Sequence, residues 1–113
     1  MAYVLSRDAD ALICVLYNSY LQRIKQGEKR SSAVLFGGSE SIQSEIPNWD
    51  TDRIDEACRE LDRNNYLTCV YGDDVVVEAA LTSDAIVYME QRFKRGLDEV
   101  LGYIQTIRSI LLG

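Results

Sequence analysis

The sequence predicts a mainly helical α+β fold, one domain of 113 residues. Three observations predict it. Apolar residues recur at the period of an amphipathic helix over residues 9–24 and again at Ile54, Ala57, Cys58 and Leu61. Residues 66–71 and 75–81 are rich in β-branched and aromatic side chains, and Gly72-Asp73-Asp74 lies between them, which is a β-hairpin pattern. Finally, Phe93, Leu97, Val100, Ile104, Ile107 and Leu111 follow steps of four and three, the a/d seam of a helix.

Taken in order, Ser6 is an N-cap, and Asp8 and Asp10 suit the positive end of the helix dipole. Ala9, Leu12, Ile13, Leu16, Tyr20, Leu21 and Ile24 form the buried stripe of this helix, with Tyr17 beside it. The helix runs to about Gln26, where Gly27 ends it. Arg23, Lys25, Lys29 and Arg30 surround one acid, Glu28. They read either as a solvated helix C-terminus, which favours cations, or as a phosphate-contacting patch. Residues 33–36 are a short apolar run able to pair with the hairpin as a third strand. Gly37-Gly38 reads as a turn, because the G-x-x-x-x-G-K-S/T spacing of a phosphate loop is missing.

Ser39 is read as the cap of a second helix, from Glu40 to about Glu45, with Ile42 and Ile46 one turn apart. Pro47 ends it, and residues 47–50 make a turn into which Trp49 packs. The next helix, residues 51–64, turns Asp52, Glu56, Arg59 and Arg63 outward. Its first half offers Asp52, Asp55 and Glu56, with Arg53 as the basic residue. Pairs Asp55–Arg59 and Glu60–Arg63 would lace such a helix. Asn64-Asn65 breaks it, since Asn tolerates the left-handed conformation. After the hairpin, Thr82 or Ser83 caps a long C-terminal helix, with Ile86 and Met89 extending the seam and a kink or break expected near Gly96. Arg92, Lys94 and Arg95 form a second basic cluster on its flank.

The seam must be covered. It either folds back on the first helix or pairs with a second copy, and a homodimer through Phe93, Leu97, Val100, Leu101, Ile104, Ile107 and Leu111 is expected.

Composition narrows the function. The net charge of −6 and pI near 4.6 disfavour non-specific attraction to DNA or an anionic membrane. No apolar run approaches the roughly 20 residues that cross a bilayer. Residues 1–7 are too short and polar for a signal peptide, which points to the cytoplasm. The chain has no His, removing the commonest general base. Its three cysteines, Cys14, Cys58 and Cys69, are widely spaced among apolar neighbours and read as buried reduced thiols, not a zinc site. No enzyme, cofactor or metal is expected.

Trp49-Asp50-Thr51, the series Ile54, Cys58, Leu61, Tyr66-Leu67 and Leu81-Thr82-Ser83-Asp84-Ala85 together resemble the winged-helix family over residues 6–93. The chain is also similar to short phage and prophage proteins of Gram-positive bacteria, including the YjcQ-like group. The resemblance implies a winged helix-turn-helix with a three-stranded small sheet and a long C-terminal helix. Residues 1–95 would form the winged-helix domain and 96–113 a dimerising extension of the same compact unit. It implies a DNA-binding transcriptional regulator of phage or prophage type, with residues 51–63 as reader and 71–75 as wing. Arg23, Lys25, Lys29, Arg30, Arg53, Arg59 and Arg63 would then contact double-stranded DNA. The acidic reader and the acidic wing tip depart from that pattern. They leave open a non-enzymatic protein–protein interaction module of the same fold, whose acidic face docks another protein.

Overall fold

The first helix, α1 (Arg7–Lys25), begins where Ser6 accepts a hydrogen bond from the Ala9 amide at 3.2 Å, as the sequence predicts. Ala11 to Tyr17 are buried without interruption, so α1 is covered on more than one side. An all-round apolar helix of this kind lies at the centre of a core. The structure is a computed structural model and describes residues 5–113. Residues 1–4, part of the stretch read as too polar for a signal peptide, lie outside the described residues.

Beyond α1 the chain differs from the reading in one strand. Residues 30–33 form a helical turn, α2 (Arg30–Ala33), and Gly37 turns the chain at φ 73° just after Phe36. Between them lie Val34, Leu35 and Phe36, of which Leu35 forms a bridge. Leu35 makes one bridge to Ala80, flanked by Phe36 N–H donating to the Ala79 carbonyl at 2.9 Å and Leu81 N–H to the Val34 carbonyl at 3.0 Å. The expected third strand is thus one bridge. The sheet proper is a two-stranded antiparallel hairpin, β1 (Leu67–Gly72) with β2 (Val75–Leu81). Its register runs from Leu67 opposite Leu81 to Gly72 opposite Val75, with an irregularity at Val70/Tyr71. Asp73 and Asp74 form the tip at φ 51° and 65°. That is the primed-turn geometry of a two-residue hairpin, which Asp tolerates.

The second helical pair is α3 (Ser39–Gln43) and α4 (Thr51–Arg63). Ser39 lies inside α3, and Gly38 takes the cap position without a side-chain bond. A side chain is excluded at residue 38, because an added Cβ would stand 2.7 Å from the Val76 carbonyl oxygen and 3.1 Å from Val77 Cα. Trp49 fills the turn between α3 and α4, and Gln43 Nε2 donates to its carbonyl at 2.8 Å. Asp50 caps α4 through the Arg53 amide at 2.8 Å. Ile54, Ala57, Cys58 and Leu61 are buried as the period predicts. The expected lacing pairs are not what holds the acids. Asp55 is buried and accepts the Val76 amide at 3.0 Å, fastening the hairpin to α4. Glu60 accepts the Ser6 amide and hydroxyl at 2.7 and 2.6 Å, tying α4 to the start of α1.

The expected long C-terminal helix is three pieces: α5 (Ser83–Arg92), α6 (Leu97–Thr106) and α7 (Arg108–Leu112). Thr82 caps α5 by accepting the Ala85 amide at 3.0 Å. Gly96, at φ 72°, supplies the break. The break folds the tail back along α1. Phe93, Val100 and Ile107 are buried there, Leu97, Ile104 and Leu111 half-buried, and Leu101 exposed at 39%. The seam read as a contact between copies is therefore covered largely within one chain, so residues 96–113 belong to the same core. Trp49 Nε1 donates to the Ile110 carbonyl at 3.1 Å, locking the last helix to the α3–α4 turn. Among the described residues, no helix is long and apolar enough to cross a membrane.

At the corner between α5 and α6, Asp10 receives Arg92 and, at 2.8 Å, the Tyr103 hydroxyl. Burial opposes the carboxylate charge. The hydrogen bonds from Arg92 and Tyr103, with the charge of Arg92, outweigh burial and hold the pKa below 3.8. A depressed folded-state value means that the stabilisation is complete above the unfolded pKa and is lost as pH falls through the folded one. Asp10→Asn should cost about 2 kcal/mol near neutral pH, because Arg92 loses its partner while partly buried. It should also flatten the decline of stability below about pH 4. Urea denaturation across that range measures both. Gly38→Ala should cost about 1–3 kcal/mol in the same assay, since the Val76 and Val77 backbone must move.

Candidate interaction face

Helix α4, expected as the reader, and the hairpin tip, expected as the wing, hold the residues in question, and what matters is where each cation goes. Arg53 does not face outward. Its Nε and one terminal nitrogen donate to Asp8 at 2.8 and 2.9 Å, and its guanidinium lies 4.1 Å from the centre of the Trp49 ring. The hydrogen bond from Arg53 leads in holding the Asp8 pKa below its ordinary value. A planar fork that is bidentate on one face and stacked on another is an arrangement lysine cannot copy. Arg53 is thus a brace between α4, α1 and the Trp49 turn.

Arg59 projects from the outer side of α4 but is also engaged. It donates to the Asp74 carbonyl at the hairpin tip, and its guanidinium lies 5.4 Å from the Tyr71 ring centre. Arg63 is exposed at the end of α4. Arg23 turns back from α1 to donate to the carbonyls of Ala33 and Leu35 at 3.1 and 2.7 Å, over the Phe36 ring at 4.4 Å. It anchors the segment before Gly37 rather than offering a free charge. Lys25, Lys29 and Arg30 are exposed at the far end of α1 and the start of α2. In the second basic cluster, Arg92 is tied to Asp10, and Arg95 lies 3.9 Å from Glu99.

The seven residues expected on phosphates therefore fall into two groups. Arg23, Arg53 and Arg59 hold the chain to itself, whereas Lys25, Lys29, Arg30 and Arg63 remain exposed. Meanwhile Asp52 and Glu56 on α4, and Asp73 and Asp74 at the tip, are all exposed. Between α4 and the hairpin runs an open cleft of about 620 Å³ lined by Arg59, Asp62, Arg63, Tyr71 and Asp74. The Tyr71 hydroxyl donates to Asp62 at 2.6 Å. Burial first, and that hydrogen bond second, push its pKa up, so it stays a neutral donor. Below the cleft wall, Cys58 of α4 and Cys69 of β1 approach one another, with Cys69 Sγ 4.0 Å from the Cys58 carbonyl. Cys14 is buried on α1, and burial followed by the Asp10 charge pushes its thiol up to about 12.

Several of these partners have no signal in the sequence. Asp8 meets Arg53 across 45 positions, and Asp10 meets Tyr103 across 93. Asp55 looked like another surface acid because its partner is a backbone amide of the hairpin.

Arg53→Lys should lower stability by about 1–2 kcal/mol, since a point charge loses the fork on Asp8 and the stacking on Trp49. Chemical denaturation followed by Trp49 fluorescence checks this. Comparison of the chain with protein-family models, with curated proteins and with solved structures finds no match.

Proposed function

We propose that this chain is a non-enzymatic protein-interaction module on a winged helix-turn-helix frame, offering the acidic face of α4 and the hairpin tip to a basic partner. The frame is supported by the element order: a long helix, one bridging residue, two helices joined by a tight turn, then a hairpin on the second of them. The observation that carries the function is the fate of the reader arginines. Arg53 and Arg59 are committed to Asp8, Trp49, Tyr71 and the Asp74 carbonyl, so the exposed charge of the first half of α4 and of the tip is that of Asp52, Glu56, Asp73 and Asp74. Carboxylates facing a phosphate backbone are repelled, and affinity for DNA rests on cations that displace counterions. The same carboxylates attract a cationic surface and speed its encounter.

The DNA-regulator reading implied by the family resemblance keeps Lys25, Lys29, Arg30 and Arg63 as its cations. Fluorescence anisotropy separates the two readings. With a mixed-sequence duplex at low salt, the interaction module gives no salt-sensitive association, while a lysine-rich peptide binds and is weakened by the double variant Asp52→Asn, Glu56→Gln. Duplex binding that falls steeply with salt, and falls again in Arg59→Glu, Arg63→Glu, would overturn the proposal.

A further inference from the structure

We infer that Cys58 and Cys69 are an oxidisable dithiol, closing to an intramolecular disulfide under hydrogen peroxide and clamping the hairpin to α4. The two residues come from different elements that pack together, α4 and β1. The Cys69 thiol donates to the Cys58 backbone carbonyl across 4.0 Å, so the two residues meet at the seat of the hairpin on α4. Both are free. Their access to solvent is unequal: Cys58 is fully buried on the inner face of α4, whereas Cys69 is half-buried on β1, two residues before the cleft-lining Tyr71.

This inequality assigns roles. The neighbouring Cys58 thiol leads in lowering the Cys69 pKa, with burial opposing it, while Cys58 itself is pushed up, first by Cys69 and then by burial, so Cys69 is the more acidic of the two. Asp62 disfavours the thiolate by its charge. The more accessible, more acidic sulfur is the one peroxide meets first.

The chemistry balances. The Cys69 thiolate attacks one peroxide oxygen, the O–O bond breaks and the other oxygen leaves as hydroxide, giving a sulfenic acid. The Cys58 sulfur then attacks the Cys69 sulfur, the S–S bond forms, and the sulfenic oxygen leaves as water with the Cys58 proton's equivalent. Two thiols and one peroxide become one disulfide and two waters. Cys14 takes no part: it is buried on α1, and its thiol is pushed up to about 12.

The test treats the reduced full chain with hydrogen peroxide, removes the oxidant, unfolds the protein and alkylates it before intact-mass and peptide analysis. The expected product has lost two hydrogens, accepts alkyl groups at Cys14 alone and yields a peptide pair joined through Cys58 and Cys69. In Cys58→Ser the disulfide is absent, and dimedone traps a sulfenic acid on Cys69. Circular dichroism of this variant shows that the fold is retained. In Cys69→Ser no sulfenic acid is trapped on the native chain. Alkylation of all three thiols after peroxide, a bridge that includes Cys14, or a bridge between two chains would overturn the inference.

Discussion

Two carboxylates in the first turn of α1 organise this molecule. Asp8 takes the fork of Arg53 from α4, and Asp10 takes Arg92 from α5 together with the Tyr103 hydroxyl from α6. One helical turn thereby meets three elements that the chain visits far apart. The same turn carries the positive end of the α1 dipole, which suits both acids before any partner arrives. The apolar contacts around α1 supply most of the drive to collapse, but they are non-directional. The two ion pairs are partly exposed, with side chains between 21 and 39% accessible, so their net contribution to stability is modest. What they add is direction: a planar guanidinium in a fork accepts few orientations. Trp49 joins the arrangement by stacking under Arg53 and donating to the Ile110 carbonyl, so the α4 brace and the end of the tail share one indole.

The electrostatic character of the surface follows from those anchors. The chain carries 12 basic against 18 acidic residues, and the anchors withdraw Arg53 and Arg92 from the outward-facing supply of cations. Arg23 and Arg59 are drawn off further, to backbone carbonyls. Each ion pair removes one acid with its arginine, and Asp55 and Glu60 are engaged within the chain as well, so the imbalance is local: Asp52, Glu56, Asp73 and Asp74 stay exposed beside arginines already engaged. On this α4 and hairpin face, a Debye length of about 8 Å at physiological salt lets neighbouring carboxylates add their fields.

How much of this was legible in the sequence depends on the range of the interaction concerned. Periodicity identified the inner face of α4 residue by residue, because burying a helix stripe is a local regularity, but that of α1 only in part: Ala11, Cys14 and Val15 are buried too, Leu21 is half-buried and Ile24 is exposed at 37%. Turn chemistry likewise located the hairpin, the caps at Ser6 and Thr82 and the break at Gly96. Residues 33–36 misled, because a short apolar run is equally consistent with a strand and with the helical turn and bridge found there. Ser39 misled because Gly38 had to occupy the crowded position beside Val76, which displaced the cap by one residue. The apolar seam from Phe93 to Leu111 was read correctly as needing cover, but periodicity does not say which surface covers it. The arginines were the hardest case. A residue type announces its charge but not its partner, and here the partners of Arg53 and Arg92 lie 45 and 82 positions away.

The fate of Arg59 shows how α4 and the hairpin form one surface. By donating to the Asp74 carbonyl over the Tyr71 ring, it joins the tip to α4 on the solvent side, while Asp55 holding the Val76 amide joins them on the buried side. Cys58 and Cys69 lie between these same two elements. The distance from Asp73 and Asp74 to Asp52 and Glu56, and so the shape of the acidic face, is set by how firmly the hairpin rests on α4. A covalent link at the thiol pair removes hairpin freedom that the hydrogen bonds only restrict. Charge presentation and thiol state are therefore coupled through one short piece of geometry, the seat of the hairpin on α4.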